Sequence, residues 1–285
     1  MHRLPLALAA LVLSAACAGQ RPAAPTPAPA PAAAAPSAPI ASRDPVGVRY
    51  APWSSRYRIE QSTHIAQEVM GQLNEADLSA RQLISTVATA AGGNLAVAVT
   101  IDSIEVSGPP GADAGLAAAR GQTFRLAMTP FGEVTSSAAS DTTNAALQQV
   151  ATGLRDFVPR LPSLPIAAGL TWTDTVTVSR TGEAPIATRS IRQHRVVGWE
   201  DRDGARALHL TMTSTYTVTG STEAQGQAVE LSGGGQTFRD AYVSATGLLL
   251  GSVDRDSALI TANVVALGMT VPIRRTSRST VTRLP

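Results

Sequence analysis

The stretch "WEDRDGARALHL" (Trp199–Leu210) predicts a tight β-hairpin. Asp203 and Gly204 form the pair that a two-residue turn favours, because both central positions of such a turn adopt a left-handed backbone. Beyond the turn, apolar and polar residues alternate with the period of two that is typical of a half-buried strand. The hairpin therefore predicts antiparallel pairing, and the rest of the chain can be interpreted outward from it.

Strand patterns recur along most of the chain outside its N-terminal region. Runs rich in Thr, Val and Ile, separated by glycine-containing breaks, are what strands favour. The fold class predicted is mainly β, with an antiparallel sheet that is half-barrel or sandwich-like. The predicted strands are Arg56–Gly71, Ala80–Thr89, Asn94–Val106, Gln122–Thr129, Glu133–Ser137, Thr171–Val178, Ala187–Trp199, Ala205–Thr219, Gln225–Leu231, Gln236–Val243, Leu248–Ala262 and Gly268–Thr282.

One amphipathic helix is predicted over about 141–158. Ser140 or Asp141 can cap its start, and Pro159 ends it. A single helix among so many strands needs an apolar sheet face to cover. Its apolar residues are spaced by three and four: Leu147, Val150, Ala151, Leu154, Phe157 and Val158.

The pentapeptide "GQTFR" occurs twice, at Gly121–Arg125 and at Gly235–Arg239. Each copy follows three predicted strands and precedes a glycine turn. The repeat predicts two similar halves, about 57–137 and 171–256. It also predicts that Phe124 and Phe238 occupy equivalent positions and both face the interior.

The N-terminal region has the features of an export signal followed by a spacer. The apolar run from Leu4 to Leu13 has about ten residues, too few to span a bilayer, which needs about twenty. Residues 1–16 are predicted to be a signal peptide. Proline recurs between Pro22 and Pro39, so residues 17–47 are predicted to form a Pro/Ala-rich, extended tether, and residues 48–285 a single β-rich domain.

Ser14-Ala15-Ala16-Cys17 resembles the lipobox of bacterial lipoproteins. This resemblance implies that Cys17, the only cysteine in the chain, is lipidated and becomes the mature N-terminus. Ordinary signal cleavage after Ala18 is the alternative, because Ala16-Cys17-Ala18 also fits a small-residue cleavage site. Both interpretations predict that the protein is exported. In the lipoprotein families, an aspartate directly after the cysteine retains the protein at the inner membrane. Here that residue is Ala18, which favours the outer membrane.

Composition excludes several kinds of chemistry. The formal net charge is +2 at pH 7 and all 23 basic residues are arginine, so nucleic-acid binding, Schiff-base lysines and a P-loop lysine are not expected. No metal-ligand spacing, cofactor motif or catalytic constellation is found, and the glycines at 233 to 235 are interpreted as a loop. Three further groups are interpreted as solvated surface: the histidines His64, His194 and His209, the carboxylates Asp254 and Asp256, and a basic edge strand with Arg274, Arg275, Arg278 and Arg283. Counting from the hairpin turn places His194 opposite about Thr213.

Two family resemblances bear on function. "GLTWTDT" (Gly169–Thr175) resembles the G-x-x-W-x-D-T element of an uncharacterised bacterial lipoprotein family, and the segment from Phe238 to Leu248 resembles that family's later hairpin, although Arg239 interrupts the pattern. By architecture alone, many strands with one covering helix are similar to the lipoprotein-carrier superfamily. That resemblance implies a half-barrel whose concave apolar face holds lipid or acyl chains.

These observations together predict a non-enzymatic lipoprotein of the cell envelope, on the periplasmic face of the outer membrane. It would bind an apolar or lipid ligand, or a partner protein, in its concave β surface, and Leu147, Ala151, Leu154 and Phe157 would contact that ligand. Its expected partners are the membrane, through the N-terminal lipid, and a lipid or an envelope protein. A structural or assembly lipoprotein that serves as a docking platform is the alternative, and a hydrolase is the third possibility.

Overall fold

A computed structural model describes residues 44–110, 117–141, 144–180, 185–202, 204–224 and 227–285. The predicted signal peptide, Cys17 and the proline-rich part of the tether lie outside these residues. No helix in the described ranges is long and apolar enough to cross a membrane.

The described chain forms one open antiparallel sheet of 11 strands. The order across the sheet is β5-β4-β3-β2-β1-β11-β10-β9-β8-β7-β6. The mainly β, antiparallel fold class predicted from the sequence is confirmed. The strands are β1 (Trp53–Val69), β2 (Gln72–Ala91), β3 (Asn94–Ser107), β4 (Thr123–Met128), β5 (Val134–Ala138), β6 (Thr171–Arg180), β7 (Ile186–Arg202), β8 (Ala205–Ala224), β9 (Gln227–Ser244), β10 (Leu249–Val264) and β11 (Met269–Leu284).

The sheet consists of two meanders. Strands β1 to β5 run from the middle of the sheet to one edge, and β6 to β11 run from the other edge back to the middle, where β11 pairs with β1. The chain therefore has to cross from one edge to the other between β5 and β6. It does so in residues 139–170, here called the crossover segment, which contains helix α1 (Ala145–Gly153) and a 3₁₀ turn, η1 (Leu154–Asp156).

The two pentapeptides are not structurally equivalent. Phe124 is fully buried on β4, but Phe238 is only partly buried on β9, beneath the guanidinium of Arg255. On β9 the buried neighbours are Thr237 and Ala241, so Phe238 points to the opposite face from Phe124. A one-residue offset in a strand inverts every side chain. The prediction that both phenylalanines face the interior is wrong, although the two meanders run in the same direction along the sheet.

The hairpin that predicted the fold is present. Arg202 pairs with Ala205, and Gly204 has φ +75°. An irregularity in the pairing between Val196 and Gly198 shifts the register of β7, so His194 lies opposite Met212 and not opposite Thr213. Register counted from a turn fails beyond a bulge, because the extra residue has no partner.

One face of the sheet, here called the inner face, carries the core. Strands near both edges contribute to one large apolar cluster, including Leu95 and Leu126 from the first meander and Val196 and Leu210 from the second. Because β3, β4, β7 and β8 stand far apart in the strand order, the sheet curves around the crossover segment to bring them together. A second apolar cluster lies farther along the same face and consists of strand residues alone: Ile65, Leu78, Tyr216, Val218, Val229, Leu231, Ala258, Ile260, Ala262, Val264, Val271 and Ile273.

The glycines at 233 to 235 lie within β9 and not in a loop, so two predicted strands are one. A Cβ on Gly233 would collide with the backbone of Leu259 and Ile260, and one on Gly235 would collide with the Ser257 carbonyl and the Tyr216 ring. The curved sheet brings neighbouring backbones too close for side chains there, which is a reason for glycine inside a strand.

The arginine-rich end of the chain is not an edge strand. β11 lies between β1 and β10 near the middle of the sheet, and Arg275 is buried on its inner face. The prediction failed because the sequence does not show which strands pair, so the last strand could be taken for an edge. In the structure β1 pairs with β11, and this pairing places the first and last strands in the middle of the sheet.

The segment before β1 belongs to the core. Val48 and Tyr50 are buried, and the Tyr50 hydroxyl donates to the Pro159 carbonyl at 2.9 Å. Burial raises the pKa of Tyr50 well above its ordinary value. This segment passes directly over the β9–β10 turn, where a Cβ on Gly247 would collide with the Arg49 carbonyl oxygen.

Gly247→Ala should therefore cost more stability than the matched change Gly71→Ala. Both glycines have a left-handed backbone, with φ +78° and +75°, but nothing lies within 4 Å of a Cβ at Gly71. Gly71→Ala should cost about 1 kcal/mol from backbone strain alone. Gly247→Ala should cost a further ~1–3 kcal/mol, because its Cβ also has to displace the neighbouring backbone. Urea unfolding of the two variants measures the difference, and equal losses would contradict the close approach of residues 49–50.

Candidate ligand-binding face

The four residues predicted to contact a ligand lie together in the large apolar cluster. Leu147, Ala151, Leu154 and Phe157 are all buried. The Phe157 ring meets the Tyr57 ring edge to face, with centroids 5.1 Å apart. The burial of Tyr57 raises its pKa to about 12.

The helix is shorter than predicted and begins later. The Asn144 Oδ1 atom accepts a hydrogen bond from the Leu147 N–H at 3.2 Å, which is the N-cap interaction predicted for Ser140 or Asp141. The Ser140 hydroxyl instead donates to the side chain of Gln122. After Gly153 the chain tightens into η1, so Leu154 belongs to a 3₁₀ turn. The apolar spacing of three and four was still sufficient to place these side chains on one face.

The crossover segment is seated directly on the sheet. The cavity beside it is bordered by apolar residues such as Val158 and Leu210 and by charged residues such as Arg192 and Arg239, and it has a volume of about 20 Å³. That is space for about one water molecule and not for an acyl chain. An open depression of about 820 Å³ lies farther along the sheet, lined mostly by hydroxyl and amide side chains: Ser179, Thr219, Ser221, Ser232, Thr261, Asn263 and Thr270.

Ion pairs hold the end of the helix to the second meander. Arg192 donates two hydrogen bonds to the Asp156 carboxylate, each at 2.8 Å. Arg239 donates to the Asp156 carbonyl at 2.7 Å and to both oxygens of Asp254 at 2.6 and 2.9 Å. Desolvation alone would raise the pKa of Asp156, but Arg192 and Arg239 outweigh it and lower that pKa.

The same segment is also held to the first meander. Arg155 donates to the Val134 carbonyl at 3.0 Å, on edge strand β5. Arg160 lies 3.1 Å from Glu133, and it also approaches Asp174 on β6 at 3.4 Å. These contacts and those of Arg192 and Arg239 are here called the rim clasp. The clasp ties the crossover segment to strands at both edges of the sheet.

His194 is buried on the inner face, so the prediction that it is a surface histidine is wrong. Its ring stacks on Trp172, with centroids 4.9 Å apart and an interplanar angle of 9°. Its Nε2 atom lies 3.3 Å from Asp174 Oδ1. Although burial opposes it, the interaction with His194 and Arg160 lowers the pKa of Asp174. The alternation of His194 with Arg192 and Val196 was the signal that all three share the inward face.

The other two histidines lie on the outer face, as predicted. His64 is half-exposed and its Nδ1 atom lies 2.9 Å from Asp77 Oδ1. His209 contacts Asp240 and stacks on Tyr242, with centroids 4.5 Å apart. Within the described ranges, no group of three His, Cys, Asp or Glu residues could hold a metal ion.

Asp254 and Asp256 are buried, so the prediction of a solvated face is wrong. Asp256 is fully buried, accepts a hydrogen bond from Arg275 at 2.6 Å and accepts another from the Tyr216 hydroxyl at 2.7 Å. Burial raises the pKa of Asp256 to about 7, although Arg275 and Tyr216 favour the charged form. The pKa of the Tyr216 hydroxyl is also raised, by burial and then by Asp256. These three side chains lie beside the second apolar cluster.

The inner face is therefore divided into zones. The crossover segment covers the first apolar cluster, the charged residues form a belt across the middle of the strands, and the second apolar cluster lies beyond. The sequence missed the belt residues Asp156, Arg192, Arg239 and Arg275. One signal for them was the interruption of the family hairpin pattern by Arg239, an arginine on the face that otherwise carries the buried residues of β9.

Comparison with known proteins gives no assignment. No protein-family model matches the chain, and no curated protein matches it. The resemblance of Gly169–Thr175 to a lipoprotein family therefore stays a prediction.

Several solved structures have partial similarity. A domain assigned to outer membrane lipoprotein sorting from Vibrio parahaemolyticus is 7% identical, with a TM-score of 0.17, over 80% of this chain and 83% of that one. A DUF1329 family protein from Desulfovibrio piger is 8% identical, with a TM-score of 0.17, over 80% and 83%. A LolA superfamily protein from Nitrosomonas europaea is 12% identical, with a TM-score of 0.18, over 80% and 84%. TM-scores this low carry no argument about fold or function.

Asp256→Asn should flatten the dependence of stability on pH. The pKa of Asp256 is about 7 in the folded protein against an ordinary 3.8, so the folded state keeps a proton that the unfolded chain releases. The contribution of Asp256 is complete below about pH 4 and is lost as the pH rises through 7, a loss on the order of 1–4 kcal/mol. Asp156 and Asp174, whose pKa values are lowered, act in the opposite direction and only at lower pH. Chemical denaturation from about pH 5 to pH 8 tests this: an equal slope in wild type and variant would show that Asp256 is charged throughout.

Proposed function

We propose that this protein is a non-enzymatic lipoprotein of the cell envelope that binds an apolar ligand on its inner face when the crossover segment moves aside. The observation that carries the proposal is the way this segment is held. It covers the larger apolar cluster with side chains such as Leu147, Leu154 and Phe157, and its polar contacts with the strands are mainly those of the rim clasp.

An acyl chain could replace these side chains at little cost. Burial of apolar surface is non-directional, so the strands beneath the segment gain about as much from a ligand's methylene groups as from leucine and phenylalanine. A short helix with few backbone hydrogen bonds to the sheet can open at a free energy below that of global unfolding. The clasp then sets how often it opens, because its charge-assisted bonds have to break first.

A docking platform is the second candidate, and a specific observation favours it. The cavity beside η1 and the residues that follow it is only about 20 Å³, so an apolar ligand has no preformed site there. In that case the crossover segment is permanent core, and the charged belt serves only to fix the sheet's curvature.

Arg192→Gln, compared with Arg189→Gln, separates the two functions. Both arginines are on β7, but Arg192 binds Asp156 on the inner face, whereas Arg189 is exposed on the outer face. Arg192→Gln should make amide exchange in residues 144–158 a few-fold to about tenfold faster, because a partly exposed charge-assisted pair contributes about 1 kcal/mol. Binding of the fluorescent fatty acid cis-parinaric acid should increase by a similar factor in the same variant.

Arg189→Gln should change neither measurement. If exchange in the segment accelerates but no fatty acid binds to either variant or to wild type, the ligand-binding proposal is wrong. If the segment exchanges as slowly as the central strands in wild type and both variants, the segment is core and the docking platform is the better account.

Anchoring through Cys17 is part of the proposal and has its own test. We expect Cys17→Ser to move the exported protein from the membrane fraction to the soluble periplasmic fraction, or to block its processing, because the acyl chains that hold it cannot be attached. Fractionation followed by mass measurement of the mature N-terminus detects either result. Unchanged partitioning would show that the chain is not anchored by this residue, and cleavage after Ala18 would then be the better interpretation.

A further inference from the structure

The two edges of the sheet are not alike. β5 has only five residues, and Arg155 donates a hydrogen bond to its Val134 carbonyl. β6 has ten residues in regular pairing with β7, from Thr171 opposite Arg195 to Arg180 opposite Ile186. Among the residues that the structure describes, no strand pairs with the other side of β6. A long, regular edge strand is a template for pairing with another strand.

The backbone groups on the open side of β6 belong to its odd-numbered residues. The Val196 N–H donates to the Leu170 carbonyl at 2.9 Å, just before β6 begins. In an antiparallel ladder the residues that bond to one neighbour alternate with those that face away. The even-numbered residues of β6 therefore bond to β7, and the odd-numbered residues direct their N–H and C=O groups to the open edge. The side chains of the odd-numbered residues are exposed: Thr171, Thr173, Thr175, Thr177 and Ser179.

The sequence of β6 is complementary to itself. In an antiparallel pair of two copies centred on Thr177, Val176 would face Val178 and Asp174 would face Arg180 of the second copy. The odd-numbered residues would form the hydrogen-bonded pairs, Thr177 with Thr177 and Thr175 with Ser179, in agreement with the open groups of the edge. The even-numbered residues would form the non-hydrogen-bonded pairs, whose side chains lie closest together.

Opposite charges also face each other in this register. Residue 174 is an aspartate and residue 180 is an arginine, so each copy places an acidic residue opposite a basic residue of the other copy. Opposite charges directly across an antiparallel pair are favourable, and like charges are unfavourable.

We propose that β6 is a dimerisation strand: two copies of this chain pair antiparallel through their β6 edges, about a twofold axis at Thr177, and join their sheets into one. The pairing is isologous, so each contact occurs twice. It does not depend on the ligand-binding function, because it uses the edge of the sheet and not the surface that the crossover segment covers.

Thr177→Pro tests the pairing without breaking the fold. Proline has no N–H, and the N–H of residue 177 faces the open edge, so the ladder between β6 and β7 keeps its hydrogen bonds. The exported chain carrying Cys17→Ser should sediment as a dimer, and the same chain with Thr177→Pro as a monomer of half that mass. Arg180→Glu, which places like charges opposite each other, should weaken the dimer at least tenfold, whereas Arg189→Glu on the outer face of β7 should not.

Cysteine cross-linking tests the register. In the Cys17→Ser chain, Thr177→Cys should give a disulfide-linked dimer on mild oxidation, because residue 177 faces itself across the axis. Thr175→Cys is the matched control: it faces Ser179 and lies four residues from its own copy, beyond disulfide distance. A Cys17→Ser chain that stays monomeric at every accessible concentration would overturn the proposal, as would a dimer that survives Thr177→Pro. Equal cross-linking at 175 and 177 would overturn the register.

Discussion

The connection between β5 and β6 is the constraint on which the rest of this structure depends. The first meander ends at one edge of the sheet and the second begins at the other, so 32 residues, 139–170, have to cross the inner face. A segment on that face has to be apolar where it meets the strands, which accounts for the stripe of Leu147, Leu154 and Phe157. It also makes the sheet curve, because strands from both meanders pack on the same short helix.

The buried charges follow from the same constraint. The crossover segment covers one end of the inner face, and beyond it the strands bring arginines and carboxylates into a region with little water. Isolated, each charge would cost several kcal/mol to bury, and it is tolerated only when it is paired and hydrogen-bonded. The carboxylates accept these hydrogen bonds from nearby strands: Asp254 from Arg239, Asp156 from Arg192, and Asp256 from both Arg275 and Tyr216. Where the pairing is least able to offset burial, at Asp256, the pKa rises.

The strands were predictable because alternation is a local property. All twelve predicted segments, two of them within β9, lie on the observed strands, and the largest difference at a strand end is at β2, which begins at Gln72 and not at Ala80. The hairpin at Gly204 set the pairing direction. The helix stripe was predictable for the same reason. Its true N-cap, Asn144, was missed because several capping residues precede the helix and only the packed structure selects one of them.

What could not be predicted depends on which strands are neighbours. Asp254 and Asp256 look solvated in sequence, because the arginines that pair with them come from β9 and β11. Glycines 233–235 look like a loop, because only a close approach by β8 and β10 explains glycine in mid-strand. The repeated pentapeptide misled for a different reason. Five identical residues carry no information about which face a strand presents, and a shift of one residue inverts that face.

The route of the crossover also explains why, within the described part of the chain, the β5 edge is protected and the β6 edge is not. On leaving β5, the chain turns back over the inner face, and Arg155 from η1 reaches the Val134 carbonyl, so the β5 edge is short and occupied. At the other end the segment arrives at β6 from inside, through the turn at Gly169, whose φ is +84°. Its N–H donates to Val196 on β7, the inner neighbour of β6. A chain that enters an edge strand from the side of its neighbour cannot cover the outer side of that strand. The open β6 edge is therefore a consequence of the topology. The topology does not require the regular, self-complementary sequence of β6, and that sequence is what suits this edge to pairing with a second copy.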